Sequence, residues 1–375
     1  MKKSTLPTRL LALAAAVATA ATVAVGGASS AEAAKRPTST DVSSAKPALS
    51  AEAKAAGAAK FGLAATESQT LEAYWTPERM RAAKPAEDDT ALASAATAYV
   101  QKQQADQKAG RKPVTNDGPV RSADGVASKV FGSASTAGGF AAAYNPNLPY
   151  YVPTAYTAGK VFFSKPDGNY VCSGTIVNSE GKDTVWTAGH CVHGGSGGTW
   201  HTNWTFVPAY DDDLANPRPY GTWSANQLWS KSAWTGSSDF SQDMGVAIMN
   251  TNWGWHIVDY FGGQGLTTNR GKSGVWENAF GYPAESPFDG GNLMQCWGST
   301  SPEWDAWFVW SQTVKIPCDM TRGSSGGGWL YGYNGNWGQL NGVNSRIDRI
   351  VGPTIMLSPY FDDDAWGLFN STRYL

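Results

Sequence analysis

The stretch Cys318-Asp319-Met320-Thr321-Arg322-Gly323-Ser324-Ser325-Gly326-Gly327-Gly328 sets two serines among glycines, a few residues after a cysteine. A serine hydroxyl is a weak nucleophile until a base takes its proton and backbone N–H groups hold the oxyanion that forms. Glycine tolerates positive φ and lets a substrate carbonyl come close to the main chain, so Gly323, Gly326 and Gly327 suit the turn around a nucleophile. The same string also reads as a flexible Gly/Ser linker. A base and an orienting carboxylate elsewhere in the chain decide between the two.

A candidate base stands in Thr187-Ala188-Gly189-His190-Cys191, at the end of an apolar run. Pairing of Cys191 with Cys172 would tie the loop holding His190 to the preceding strand, a closure worth roughly 3 kcal/mol in chain entropy. A general base must sit within hydrogen-bond reach of the hydroxyl it activates, so fixing this loop matters more than generic stability. His193, His201 and His256 lack such a setting and read as surface or packing residues. The imidazole also needs a carboxylate to hold its tautomer. Asp243-Met244-Gly245-Val246-Ala247-Ile248-Met249 places an aspartate at the mouth of an apolar strand, where an ionised carboxylate requires hydrogen-bond donors. Asp239, in the polar run Ser237–Gln242, is the competing aspartate and reads as a solvated turn.

With His190, Asp243 and Ser325 in that order, each in a fitting local string, the sequence resembles the chymotrypsin-like serine proteases over roughly residues 159–375. Thr-Ala-Gly-His-Cys looks like the family's histidine motif and Gly323-Ser324-Ser325-Gly326-Gly327 like its G-x-S-G-G serine motif. Phe280-Gly281-Tyr282-Pro283 and Gly342-Val343-Asn344-Ser345 look closest to the secreted bacterial branch that includes the glutamyl endopeptidases. The resemblance implies an all-β fold of two six-stranded antiparallel barrels with a C-terminal helix. It implies Ser325 as nucleophile, His190 as base, Asp243 as its orienting partner, and the N–H groups of Gly323 and Ser325 as the oxyanion hole. Ser324 is rejected as nucleophile because its register sets the glycines wrongly. By the same resemblance Ser345 bonds Asp243 and lines the pocket edge. Cys318 is expected to pair with Cys296, a placement that differs from trypsin's.

Two departures from the family bear on activation and specificity. Ser324 stands where the pancreatic enzymes carry an aspartate that pairs with the new N-terminal amine, so latency here would come from steric cover or assisted folding. Asp319 lies six residues before Ser325, the trypsin offset for a pocket-base carboxylate, which suits cleavage after Arg or Lys. A turn or capping role for Asp319 stands equally open. Glutamyl endopeptidases use a histidine where Asn344 aligns, which weighs against a Glu preference.

Upstream, Lys2, Lys3 and Arg9 precede an Ala/Val/Leu run ending in Ala31-Glu32-Ala33, the form of a secretory signal over 1–33. Export fits four cysteines forming two disulfides. Residues 34–139 are rich in Ala, Lys, Glu and Gln and read as a pro-segment, with helices at 67–74, 77–84 and 91–107 and a linker over 112–139. The protease domain is expected over 140–375, with strands at 160–164, 170–177, 184–187, 204–207, 245–249, 274–280, 307–314, 328–331 and 339–343. Helices are expected at 253–261 and from Pro359 to about Arg373, the latter capped by Ser358.

Of the 29 basic and 31 acidic residues, 17 and 12 fall in 1–139, leaving 12 and 19 beyond. That acidic balance excludes a nucleic-acid surface. Asp211–Asp213 and Asp362–Asp364 lack EF-hand spacing and read as solvated loops, so no metal and no other cofactor is expected. The expected partner is a protein or peptide substrate, met outside the cell by a monomer with no membrane attachment once the signal is removed. The 17 tryptophans support a rival reading, a secreted binding module with exposed stacking rings or an inactive protease fold that binds carbohydrate or cell-surface ligands.

Overall fold

Short apolar runs between Gly, Asn and Asp turns give each strand a face to bury, and the stretch from Ala158 to Met249 does so by closing one sheet on itself. In the computed structural model, which describes residues 41–111, 115–131, 150–151, 156–303, 312–347 and 355–375, this ring holds six strands. They are Ala158–Lys165, Gly168–Ile176, Thr184–Thr187, Thr202–Pro208, Trp223–Lys231 and Gly245–Met249. Pairing of Trp223 with Phe206 joins the ends of the path, which removes the open edges a flat sheet would carry. Val161, Phe163, Ile176, Val185, Trp204, Phe206 and Leu228 fill the interior. The expected signal over 1–33 and most of the expected strand at 307–314 lie outside the described residues.

The later strands form two further sheets. One contains Gly265–Thr268, Trp276–Gly281, Met294–Ser299, Gly328–Tyr331 and Gln339–Val343; the other contains Thr313–Pro317, Arg346–Ile347 and Ile355–Pro359. They share a core of Ala279, Val314, Ile316, Met320, Trp329 and Met356, and the Cys296–Cys318 disulfide bonds one sheet to the other. The chain ends in the helix Asp363–Thr372, whose first turn is capped by Asp362. Ser358, the expected cap, lies instead in a strand, where its hydroxyl accepts the Val343 N–H at 2.9 Å.

The Asp362–Asp364 cluster is not a solvated loop: Asp362 and Asp364 are buried. Asp364 pairs with Lys231 at 3.0 Å and accepts the side-chain amides of Asn116 and Gln242 at 2.8 and 3.2 Å. Burial, and after it the charge of Asp364, pushes the Asp362 carboxyl up to about 7. Asp364 therefore joins the final helix to the barrel and to the residue preceding Asp243, while Asp362 caps that helix through the Asp364 N–H at 2.8 Å. Trp75, Trp186, Trp204, Trp223, Trp234 and Trp329 are buried, which makes these rings core rather than stacking platforms.

The N-terminal region folds onto both β-units. Its helices are Ala51–Phe61, Glu67–Tyr74, Pro77–Arg81 and Thr90–Lys108. Thr66 and Gln69 form a capping box at the second, and Pro77 opens the third where a missing N–H costs nothing. Trp75 is fully buried, with its ring 5.4 Å from Phe162 and its indole N–H on the Asn203 carbonyl at 2.9 Å. Val42–Ala45 pairs with residues 228–231, and Lys84–Pro85 runs parallel to Tyr170 and Val171. Within the expected linker, Arg121–Ala123 and Val126–Ala127 are strands, paired with residues 266–268 and 262–263. No helix among the described residues is long and apolar enough to cross a membrane.

Removing Lys231 would leave the buried Asp364 carboxylate without its cation. Lys231→Ala is expected to destabilise the chain by about 3–5 kcal/mol, the usual cost of halving a buried ion pair. Urea unfolding of both proteins, read as a lower midpoint at unchanged slope, checks this.

Candidate active site

His190 sits on a single 3₁₀ turn, Gly189–Cys191, at the end of the barrel strand Thr184–Thr187. The Cys172–Cys191 disulfide ties that turn to the neighbouring strand. A second tether comes from His201, whose Nε2–H donates to the His190 carbonyl at 2.9 Å. Burial pushes the His201 imidazole down to about 3, so it stays neutral, and its ring stacks on Phe163 with centroids 4.2 Å apart. His193 is likewise buried, and its Nδ1 accepts the Gly195 N–H; His256 pairs with Asp183.

Asp243 is fully buried and faces this turn. Its Oδ1 accepts the His190 main-chain N–H at 2.8 Å, and its Oδ2 lies 2.8 Å from His190 Nδ1. The Ser345 hydroxyl donates to the same Oδ2 at 2.6 Å. Those three donors meet the need of a buried carboxylate and fix the proton of a neutral imidazole on Nδ1, leaving Nε2 as the basic nitrogen. Burial lowers the basicity of His190, but the charge and hydrogen bond of Asp243 and the charge of Glu87 outweigh it, so its pKa lies above the ordinary value. Asp239 does not face His190; its Oδ1 accepts the N–H and hydroxyl of Ser241.

The nucleophile turn is clamped from several sides. Ser173 donates its N–H to the Ser325 carbonyl at 2.6 Å and its hydroxyl to the Gly323 carbonyl at 3.1 Å. Asn344 is buried, and its amide donates to the carbonyls of Phe280 and Ser324 while its Oδ1 accepts the Trp329 indole. Asn344 is thus a brace behind the turn. Gly323 has φ +93°, and a side chain there would press on Ala284 and the Tyr282 carbonyl. Ser324 is turned away, its hydroxyl donating to the Thr321 carbonyl at 2.8 Å.

A residue absent from the sequence reading completes the site. The Ser325 hydroxyl donates to the Glu87 carboxylate, and the Gly323 N–H points at the same carboxylate, 3.2 Å from Oε2 and 3.4 Å from Oε1. His190 Nε2, buried, has no hydrogen-bond partner among the described residues. Glu87 belongs to the short 3₁₀ turn Ala86–Asp88, flanked by Asp88 on Arg322 at 2.9 Å and by Asp89 on Lys165. The run Glu87-Asp88-Asp89 was the sole local signal, and solvated acidic turns share it.

Asp319 is partly buried, and its Oδ1 has no hydrogen-bond partner among the described residues. Burial raises its pKa. The tightest cluster of metal-ligating types among the described residues is Cys172, His190 and Cys191, and both sulfurs are spent in their disulfide.

No protein-family model and no curated protein matches the chain. Solved structures do. The protease Anisep from Arthrobacter nicotinovorans is 36% identical, with a TM-score of 0.56, over 61% of this chain and 100% of its own. The thermostable serine protease AL20 from an extremophilic microorganism is 36% identical, with a TM-score of 0.52, over 58% of this chain and 97% of its own. A Glu endopeptidase is 17% identical, with a TM-score of 0.47, over 60% and 93%. With a closed six-stranded barrel, two disulfides and full-length likeness to a solved bacterial protease, the chain belongs to the chymotrypsin-like serine proteases.

Proposed function

We propose that this chain is the precursor of an exported bacterial serine endopeptidase that works through His190, Asp243 and Ser325, with residues 34–139 as its pro-segment. The observation that carries this reading is the buried Asp243 carboxylate, held by two hydrogen bonds to His190 and one to Ser345. In the active form, Ser325 Oγ attacks the scissile carbonyl carbon while its proton passes to His190 Nε2. The carbonyl oxygen becomes an oxyanion held by the N–H groups of Gly323 and Ser325. Collapse breaks the C–N bond, and the leaving amine takes the proton from His190. Water then attacks the acyl ester, giving its proton to His190, and the carboxyl product leaves as Ser325 regains its hydrogen.

Cleavage after Arg or Lys is the specificity this reading carries. A partly buried carboxylate oxygen with no hydrogen-bond partner among the described residues is costly unless a cation meets it, and a basic substrate side chain would supply one. Two disulfides and bacterial protease relatives suit an extracellular enzyme.

Ser325→Ala is expected to lower kcat by about a million-fold, leaving only binding and the oxyanion hole; loss of fluorophosphonate labelling at that position checks the assignment. Asp319→Ala should cut kcat/KM for Arg and Lys substrates by about a hundredfold, the size expected for halving a buried charge pair. A peptide-library profile unchanged by Asp319→Ala would remove it from the pocket. A third expectation concerns pH. His190 must be neutral to accept the Ser325 proton; Asp243 and Glu87 favour its charged form, and burial and Lys165 oppose it, with the net shift upward from 6.5. Labelling of Ser325 in the uncut chain should therefore rise with pH and reach half its maximum above pH 6.5, the ordinary value.

A further inference from the structure

Ser325 has committed its proton to an acid that the protease mechanism does not use. The Glu87 carboxylate lies where both the Ser325 hydroxyl and the Gly323 N–H donate to it. These are the groups assigned above to attack a carbonyl and to hold the negative oxygen that results, so a carboxylate oxygen here stands in for that oxyanion. We propose that the nucleophile and its anion hole form a carboxylate-binding site, filled by Glu87 from the chain's own N-terminal region, and that this contact holds the protease inactive.

Anchors on either side present Glu87 rather than leave it to chance. Before it, Lys84–Pro85 pairs in parallel with Tyr170 and Val171, directly ahead of the disulfide-bonded Cys172. After it come the Asp88–Arg322 and Asp89–Lys165 ion pairs, and Asp89 also caps the helix Thr90–Lys108 through the Ala91 N–H at 2.8 Å. That helix is fastened by Leu92 and Tyr99, packed with Trp234 and Phe240, and the Arg346 guanidinium lies 5.2 Å from the Tyr99 ring centre. The 19-residue helix and the strand thus hold the short acidic turn between two fixed points.

The block includes a chemical contact at the nucleophile itself. Beside Glu87, between the helix and the Ser345–Ile347 stretch, a cavity of about 380 Å³ remains, lined in part by Phe240, Glu303 and Arg346. Open space therefore remains beside Glu87 along one side of the helix. What the Ser325 hydroxyl meets is a side-chain carboxylate, whose carbon is a poor electrophile and carries no amine to expel. Glu87 can thus occupy the site without being consumed. It also disconnects the base: Ser325 donates to Glu87, and His190 Nε2 is left without a partner among the described residues.

The inference rests on the protease reading, and the test separates the two. The uncut full chain, confirmed intact by mass, is treated with a small fluorophosphonate, and labelling of Ser325 is timed for wild type, Glu87→Gln and Glu87→Ala. Thermal melts confirm that each is folded. Loss of a charge-assisted contact should speed labelling by about 10- to 100-fold in Glu87→Ala. Glu87→Gln should fall between, since its amide oxygen still accepts but carries no charge. Propionate added to Glu87→Ala should slow labelling again, and propionamide should not. A Glu87→Ala chain that is folded yet labels at the wild-type rate, while the processed enzyme labels readily, overturns the carboxylate site alone. Equal slowing by propionamide overturns it too. No labelling of Ser325 in any form, processed enzyme included, sinks the protease reading and this inference together.

Discussion

The buried Asp243 carboxylate is the constraint on which the site depends. An ionised carboxylate taken out of water is tolerable only when donors replace its hydration, and here they come from two different β-units. His190 reaches it from the turn of the closed barrel, while Ser345 reaches it from beside the Arg346–Ile347 strand of the later sheets. One acid thereby sets the mutual placement of the two units at the point where chemistry is to occur. The imidazole's tautomer and orientation follow from that contact, which with the charge of Glu87 also outweighs burial and raises its basicity.

The groups around this contact are held by bonds of other kinds. A disulfide and the neutral His201 fix the His190 turn; Ser173 and Asn344 fix the Ser325 turn through its carbonyls. Backbone-directed hydrogen bonds of this sort position a main chain without adding charge near the base. Among the described residues, the acid at the nucleophile is Glu87, and it comes from a part of the chain fastened to the closed barrel by edge pairing and by a buried Trp75. Added strands give such a segment many backbone hydrogen bonds for few specific side chains. This lets a compositionally plain, Ala-rich region hold a single acid in place.

Legibility of the fold tracked how local each signal was. Strands Thr184–Thr187, Gly245–Met249, Gly328–Tyr331 and Gln339–Val343 and helix Glu67–Tyr74 stand at the boundaries read from sequence, because apolar runs and capping residues mark their ends. Trp223–Lys231 escaped notice. Its Ser224, Ser230 and Lys231 are polar yet buried, so the alternation that advertises a strand is absent. Arg121–Ala123 and Val126–Ala127 are too short and too polar to look like strands until their partners are known. Ala51–Phe61 carries mostly alanine and shows no apolar stripe.

The sequence by itself determined the chemical inventory: a serine in a glycine turn, a histidine beside a cysteine, an aspartate at the mouth of an apolar strand, and cysteines for two disulfides. Those are short strings whose meaning depends on residues a few positions apart. Tertiary structure alone decided the contacts between distant residues. Lys231 meets Asp364 across 133 positions, and Glu87 meets Ser325 across 238. Neither pairing has a local signature, because a surface acid and a functional one look alike until barrel closure and strand register bring their partners within hydrogen-bond reach.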